Sequence, residues 1–382
     1  MKTLKFSLML FLSIGITLSN CKNDEQDKKD KETLSAAFLL LQNQATFLEI
    51  NGKLSDTSGT ALSTHKLVLS TNVSSRIENP SFSTQGTSYT SDTSGYFSIQ
   101  LSAGSYKIRV YNSSDTEVGS FTLNVNSASD KPKPENLSGL KVSIIRIGSA
   151  FNKASGFTGL SGYTWLSNFG GFNKITTKNW GLSTIEEIDS NNNVVYIKDT
   201  TETAYVAGYS RIRFTSVDTY GNFRYCIETY GKQSLEEAKA VNTSYTFSSD
   251  TTANCGGFSW SIMSLAPEYM QVDISIAGTG TDNYGQVWKL LGDKYSGNAI
   301  YEFNNNSGVF YYQNAYNATY NPNKFGRIRY TKPANKVFYY CIEIYDGISL
   351  EAVQSDTTKV YTFESESSKT CGGFTWSKVS LN

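Results

Sequence analysis

From about residue 46 onward, apolar and polar residues alternate with a period of two, in short runs broken by turn-forming residues. The segment Phe47-Leu48-Glu49-Ile50-Asn51-Gly52-Lys53-Leu54 is the first such run, and Lys66–Leu69, Ala103–Val110 and Gly119–Val125 repeat the pattern. Later runs include Val194–Ile197 and Ala299–Phe303. Period two places alternate side chains on opposite faces of a strand, so each run predicts a half-buried β-strand. Between them lie turn clusters: Asp56–Gly59, Ser190–Asn193 and Asn304–Gly308. Helical signals are confined to Ser234–Ala240 and Ser349–Val353, each a serine cap followed by Leu and Glu. The pattern predicts a mostly β chain: an N-terminal β-sandwich, then two homologous, disulfide-bonded, β-rich domains, each with one short helix. A content of 25 Tyr and 21 Phe against 6 Pro fits that reading, because aromatic side chains suit pleated surfaces and proline does not.

The first 45 residues follow another pattern. Lys2 and Lys5 precede an apolar run from Phe6 to Leu18, which is shorter than the roughly 20 residues a membrane-spanning helix needs. The run ends in Leu18-Ser19-Asn20-Cys21. A leucine three residues before a cysteine at such a point resembles the lipobox of bacterial lipoproteins. Asn20 in place of the commoner Gly or Ala is similar to the relaxed boxes of spirochaetal, leptospiral-type lipoproteins. The resemblance implies a signal peptide over 1–20, diacylglycerol on the Cys21 thiol and a lipid anchor in the membrane. Residues 21–45 then form a tether: Lys22–Glu32 is charged with both signs and cannot bury a core, while Leu34–Leu41 is apolar but too short to span a bilayer.

Self-comparison divides the C-terminal half. Ser210-Arg211-Ile212-Arg213-Phe214-Thr215 returns as Gly326-Arg327-Ile328-Arg329-Tyr330-Thr331, and Tyr225-Cys226-Ile227-Glu228 as Tyr340-Cys341-Ile342-Glu343. Cys255-Gly256-Gly257-Phe258-Ser259-Trp260-Ser261 returns as Cys371-Gly372-Gly373-Phe374-Thr375-Trp376-Ser377. The front halves agree less well; Trp180 and Trp288 align as the best candidates there. Two repeat domains follow, 145–265 and 266–382, after a sandwich over 46–126 and a linker over 127–144 centred on Asp130-Lys131-Pro132-Lys133-Pro134-Glu135. The first module resembles the carboxypeptidase regulatory-like, transthyretin-like β-sandwich family. It does so through Gly52, the Asp56–Gly59 turn, Asp92-Thr93-Ser94-Gly95-Tyr96-Phe97 and Gly104-Ser105-Tyr106. That resemblance implies a non-catalytic spacer or platform with Phe97 and Tyr106 in its core. The repeats are similar to small lipoprotein domains of unknown function that end in Cys-Gly-Gly-Phe-x-Trp-Ser.

Cysteine count refines the picture. With Cys21 lipidated, Cys226, Cys255, Cys341 and Cys371 remain, an even number in an exported chain. Of three connectivities, only Cys226–Cys255 and Cys341–Cys371 keep each repeat self-contained. Two cysteines per repeat without a neighbouring histidine make a poor zinc set, so no metal is expected. Equal numbers of acidic and basic residues imply no nucleic-acid affinity.

Catalytic chemistry finds little to work with. His65 is the only histidine and lies in the first module, so no Ser-His-Asp or Cys-His system is available to the repeats. Glu228 and Glu343 recur beside cysteines but in separate domains, and pairing with Arg213 and Arg329 is the simpler reading. Glycine pairs 256–257 and 372–373 lack the lysine of a phosphate loop and read as sharp turns. The aromatic residues Trp260, Trp376, Tyr311 and Tyr312 are the candidate contact residues, since Tyr and Trp make efficient binding area and can stack on sugars, while core and cross-strand packing is the simpler use of most of the aromatic clusters. The sequence points to a non-enzymatic, cofactor-free surface lipoprotein of the outer membrane, adhesin-like, binding a host or envelope protein or a glycan. A structural envelope-assembly role is the alternative, and a glycan-acting enzyme the third.

Overall fold

The computed structural model describes residues 48–71, 88–126, 131–148, 154–200 and 206–382. The leader, Cys21, the charged tether and Leu34–Leu41 lie outside the described residues. The protein is mostly β, with two closed eight-stranded barrels in its C-terminal half.

The N-terminal module consists of two sheets sharing one core. Strands β1 (Leu48–Asp56), β4 (Tyr96–Leu101) and β8 (Leu140–Gly148) form one sheet in the order β4-β1-β8. Strands β2 (Lys66–Thr71), β3 (Ser88–Thr90), β5 (Gly104–Tyr111), β6 (Glu117–Val125) and β7 (Pro134–Ser138) form the other, in the order β3-β2-β5-β6-β7. Ile50, Phe97, Ile99, Ile108, Phe121 and Ile147 are buried between them, with Tyr106 in the same cluster. Gly52 is required by close approach: a Cβ there would lie 2.4 Å from the Phe97 ring. The carboxylates of Asp56 and Asp92 close their turns by accepting from backbone N–H groups two and four residues on.

The reading of 127–144 as a linker is corrected. Pro134–Ser138 is an edge strand on β6, and Leu140, Ile144 and Ile147 of β8 enter the core. Proline is tolerated at an edge because no ladder partner needs its missing N–H. The first module therefore runs to Gly148, and the first repeat starts later than residue 145.

Barrel 1 comprises β9 (Tyr163–Ser167), β10 (Phe172–Ile175), β11 (Asn179–Trp180), β12 (Ser183–Asp189), β13 (Val194–Asp199), β14 (Gly208–Phe214), β15 (Asn222–Lys232) and β16 (Ser261–Leu265). Barrel 2 comprises β17 (Gly278–Asp282), β18 (Val287–Leu291), β19 (Lys294–Tyr295), β20 (Asn298–Asn304), β21 (Val309–Gln313), β22 (Phe325–Tyr330), β23 (Val337–Gly347) and β24 (Ser377–Leu381). In each, every strand pairs antiparallel with the next and the last closes on the first. An eight-stranded barrel has an interior that side chains can fill, and here they are large: Trp165, Phe214 and Phe223 in barrel 1, Trp288, Phe310 and Phe338 in barrel 2. Helices α1 (Leu235–Lys239) and α2 (Leu350–Ser355) follow β15 and β23, capped by the Ser234 and Ser349 hydroxyls.

The register of the two barrels corrects the tryptophan alignment. Trp180 occupies the place of Tyr295, standing opposite Ile175 as Tyr295 stands opposite Leu290. Trp288 sits opposite Gly280, whereas in barrel 1 the same cross-strand pair is Asn173 opposite Trp165. The indole has moved to the neighbouring strand. Both indoles still meet the equivalent ring, Phe223 at 4.8 Å and Phe338 at 5.0 Å.

Outside each barrel, a strap connects the helix to the last strand and is held at two points. Cys226 bonds Cys255, and Cys341 bonds Cys371, the pairing that keeps each repeat self-contained. Beside each disulfide a buried glutamate binds two arginines. Glu228 meets Arg211 at 2.8 Å and Arg213 at 2.5 Å; Glu343 meets Arg327 at 2.6 Å and Arg329 at 2.5 Å. Arg211 and Arg327 approach off their Nε–H direction, so those two contacts are ionic rather than hydrogen bonds. Each glutamate also accepts from a strap backbone N–H, Tyr245 at 3.0 Å and Tyr361 at 2.8 Å.

A half-buried carboxylate joins barrel 2 to its surroundings. Glu302 accepts from Lys131 at 3.0 Å, from Gln354 at 2.8 Å and from the Tyr269 hydroxyl. Burial pushes this carboxyl up, but the Lys131 charge and the hydrogen bonds from Tyr269, Lys131 and Gln354 outweigh it and hold it below its ordinary 4.5. The folded state thus favours the anion, so the stabilisation is present above the unfolded value and is lost as pH falls through the folded one. We expect Glu302→Gln to cost about 1–3 kcal/mol at pH 7, and the gap from wild type to narrow towards pH 3. Urea unfolding at several pH values checks this; a gap independent of pH would contradict it.

Candidate functional site

At one end of barrel 1 the side chains fail to fill the interior. A cavity of about 600 Å³ opens there, walled by the ends of β10 to β15 and by two pieces of barrel 2, the segment 272–277 and the turn at Gly292-Asp293. That volume suits a small organic ligand. Its floor and sides are apolar and aromatic: Trp180, Ile197, Ile212, Tyr225 and Ile227. Phe172 faces away from barrel 1, packs at a tilt on Phe303 with ring centroids 5.3 Å apart and joins the barrel 2 core, which fixes the two barrels together beside the opening.

The polar groups of the cavity come from three adjacent strands. Asp199 ends β13 with its carboxylate buried at 9% exposure. Ser183, at the start of β12, donates to one carboxylate oxygen at 2.5 Å, and Ser210 of β14 donates to the other at 2.7 Å. Among the described residues no ion pair includes Asp199. Two further aspartates line the opening and each has a lysine. Asp273 meets Lys174 at 2.8 Å, and Asp293 lies 3.9 Å from Lys294. Burial pushes the Asp293 carboxyl up while Lys294 pulls it down, and burial likewise raises the Tyr225 hydroxyl, with Asp293 adding to it.

The second barrel shows how this space is closed. Ile197 stands between Ile185 and Ser210 in register, and its counterpart Tyr312 stands between Ile300 and Gly326. The phenol fills the volume left open in barrel 1 and packs on Tyr295, the counterpart of Trp180, at 5.6 Å. Gly326 makes this possible, since a Cβ there would lie 2.3 Å from the Tyr312 ring. Asn314 and Asn298 take the places of Asp199 and Ser183. The equivalent end of barrel 2 carries a more open surface depression of about 500 Å³, lined by Asn298, Asn314 and Tyr320 and none of the large apolar side chains of the barrel 1 cavity.

The residues singled out for binding lie elsewhere. Trp260 and Trp376 are each 2% exposed under their straps and Tyr312 is 4% exposed, so all three belong to cores. Tyr311 is half-buried. Trp260, Trp376 and Tyr312 are thus not available as contact surface: Tyr312 fills barrel 2, and the two tryptophans pack beneath the straps. The double-glycine turns separate neighbouring rings: Phe258 and Phe374 are exposed while Trp260 and Trp376 point inward. Glu228 and Glu343 pair with arginines, as their simpler reading has it. Sequence reasoning missed the cavity, although the replacement of Ser210 by Gly326 stood inside an aligned segment.

The chain matches no protein-family profile, and neither a curated protein nor a solved structure is detectably similar to it.

Proposed function

We propose that this is a non-catalytic binding lipoprotein whose recognition site is the open mouth of barrel 1. In this reading Cys21 carries the lipid that anchors the chain in the outer membrane, residues 22–45 act as a tether, and the first module is a transthyretin-like β-sandwich spacer. The observation that carries the proposal is the unequal filling of duplicated barrels: one copy keeps a lined cavity where the other inserts Tyr312. A cleft left open where the sister barrel packs an aromatic ring gives up apolar contacts that the fold can evidently make, which favours a use for the space. A concave pocket of this size favours a small ligand over the broad adhesive surface that the aromatic content suggests.

The second barrel supplies the decisive variant. Ile197→Tyr with Ser210→Gly rebuilds the barrel 2 plug inside barrel 1 and should leave the chain folded with an equal or higher unfolding temperature. Ligand-observed NMR with a panel of small metabolites is expected to give hits on the wild type that vanish in the double variant. Hits that survive the plug would place binding elsewhere and end the proposal.

A further inference from the structure

Resting on that reading of the barrel mouth, we infer that the ligand is a small organic cation, an amine or ammonium group on an apolar body, with Asp199 as its counter-ion. A buried carboxylate requires compensation, because an isolated charge away from water is costly. Hydrogen bonds from Ser183 and Ser210 supply part of it and fix the carboxylate plane. They use two of its roughly four lone-pair directions. The two lysines at the opening are matched by Asp273 and Asp293, so the three aspartates exceed the lysines by one charge, and the excess sits on Asp199. Trp180 and Tyr225 add ring surfaces that attract a cation.

The comparison within the chain separates this from a structural role. Where Tyr312 closes barrel 2, the acid and both hydroxyls are gone together: Asn314, Asn298 and Gly326 stand at the positions of Asp199, Ser183 and Ser210. The barrel closes equally well without the trio. Its chemistry travels with the cavity and not with the fold.

The test uses a matched series on the full chain, disulfides oxidised, in detergent: 4-phenylbutylamine, 4-phenylbutan-1-ol and 4-phenylbutanoate, by calorimetry. The amine is expected to bind at least tenfold tighter than the other two. Asp199→Asn should bring it down to the level of the alcohol, and Ile197→Tyr with Ser210→Gly should abolish binding of all three. Asparagine is already accepted at the equivalent position of barrel 2, and Asp199→Asn combined with Ser183→Asn reproduces that barrel's pair as a second folded control. If the alcohol or the carboxylate binds as tightly as the amine, or Asp199→Asn changes nothing, the cation assignment falls while the mouth remains the binding site. No binding by any probe also overturns the assignment. Binding of the amine that is indifferent to the plug overturns both the assignment and the proposed site.

Discussion

Glu343→Gln should lower the stability of barrel 2 by about 3–5 kcal/mol, the range found when one member of a buried ion pair is removed. The side chain of Glu343 is fully buried, as that of Arg327 nearly is. Arg327 also donates to the carbonyls of Val353, Asp356 and Lys359, so it remains in place when the glutamate is neutralised. Glutamine keeps the size but leaves two guanidinium groups facing a neutral amide, and its NH₂ presents donors to donors. It also weakens the acceptor for the Tyr361 N–H that holds the strap. Chemical unfolding followed by near-ultraviolet circular dichroism measures the loss. The cost reflects uncompensated charge and not the absolute worth of the pair, so Glu343→Gln together with Arg329→Gln should cost clearly less than the sum of the single changes. A single-variant loss below 1 kcal/mol, or simple additivity, would show that solvent reaches the triad. The same experiment on Glu228 should give a similar figure, because Arg211 and Arg213 stand in the same places.

How far the sequence reveals this arrangement depends on what each feature requires. The repeat, the cysteine pairing, the helix caps and the pairing of glutamate with arginine are legible because each depends on residue identity at a fixed spacing. Cys-Gly-Gly-Phe and Tyr-Cys-Ile-Glu recur with almost constant offset, and the disulfides follow from the repeat boundaries. The tryptophan exchange is not legible by identity matching. Trp165 and Trp288 fill one interior position from different strands, and only the hydrogen-bond register relates them. Residues 131–138 read as a linker because their charges and prolines resemble one, and an edge strand asks little of its composition. The cavity is the least legible feature. It is a difference in volume between Ile197 and Tyr312, and the two positions can be related only because β-bulges in β12 and β20 keep both barrels in matching register. Composition misleads at this point, since a chain rich in Tyr and Trp suggests a sticky surface when all five tryptophans and many of the phenylalanines and tyrosines are buried in the barrel cores or under the straps.

Replacing Cys226 and Cys255 together by alanine should cost about 3.5 kcal/mol in the loop-entropy account, and Cys341 with Cys371 about the same, because the two bonds close loops of nearly equal length, 29 and 30 residues apart in sequence. The consequences beyond stability should differ. The first strap carries Asp250, which accepts from Arg224 at 2.8 Å and from Ser94 of the N-terminal module at 2.5 Å. At the equivalent place the second strap carries Glu366, which meets Tyr339 and Lys378 of its own barrel. Loosening the first strap therefore weakens contact between the N-terminal module and barrel 1, whereas loosening the second stays within barrel 2. Hydrogen exchange should show faster exchange around Asp92–Tyr96 in the first double variant and unchanged exchange there in the second. In both, the tryptophan under the strap, Trp260 or Trp376, should gain exposure and shift its fluorescence to the red. Equal exchange at Asp92–Tyr96 in the two variants would mean that the Asp250 contact does not couple the module to the strap, and unchanged unfolding midpoints would mean that the glutamate–arginine triads alone hold the straps in place.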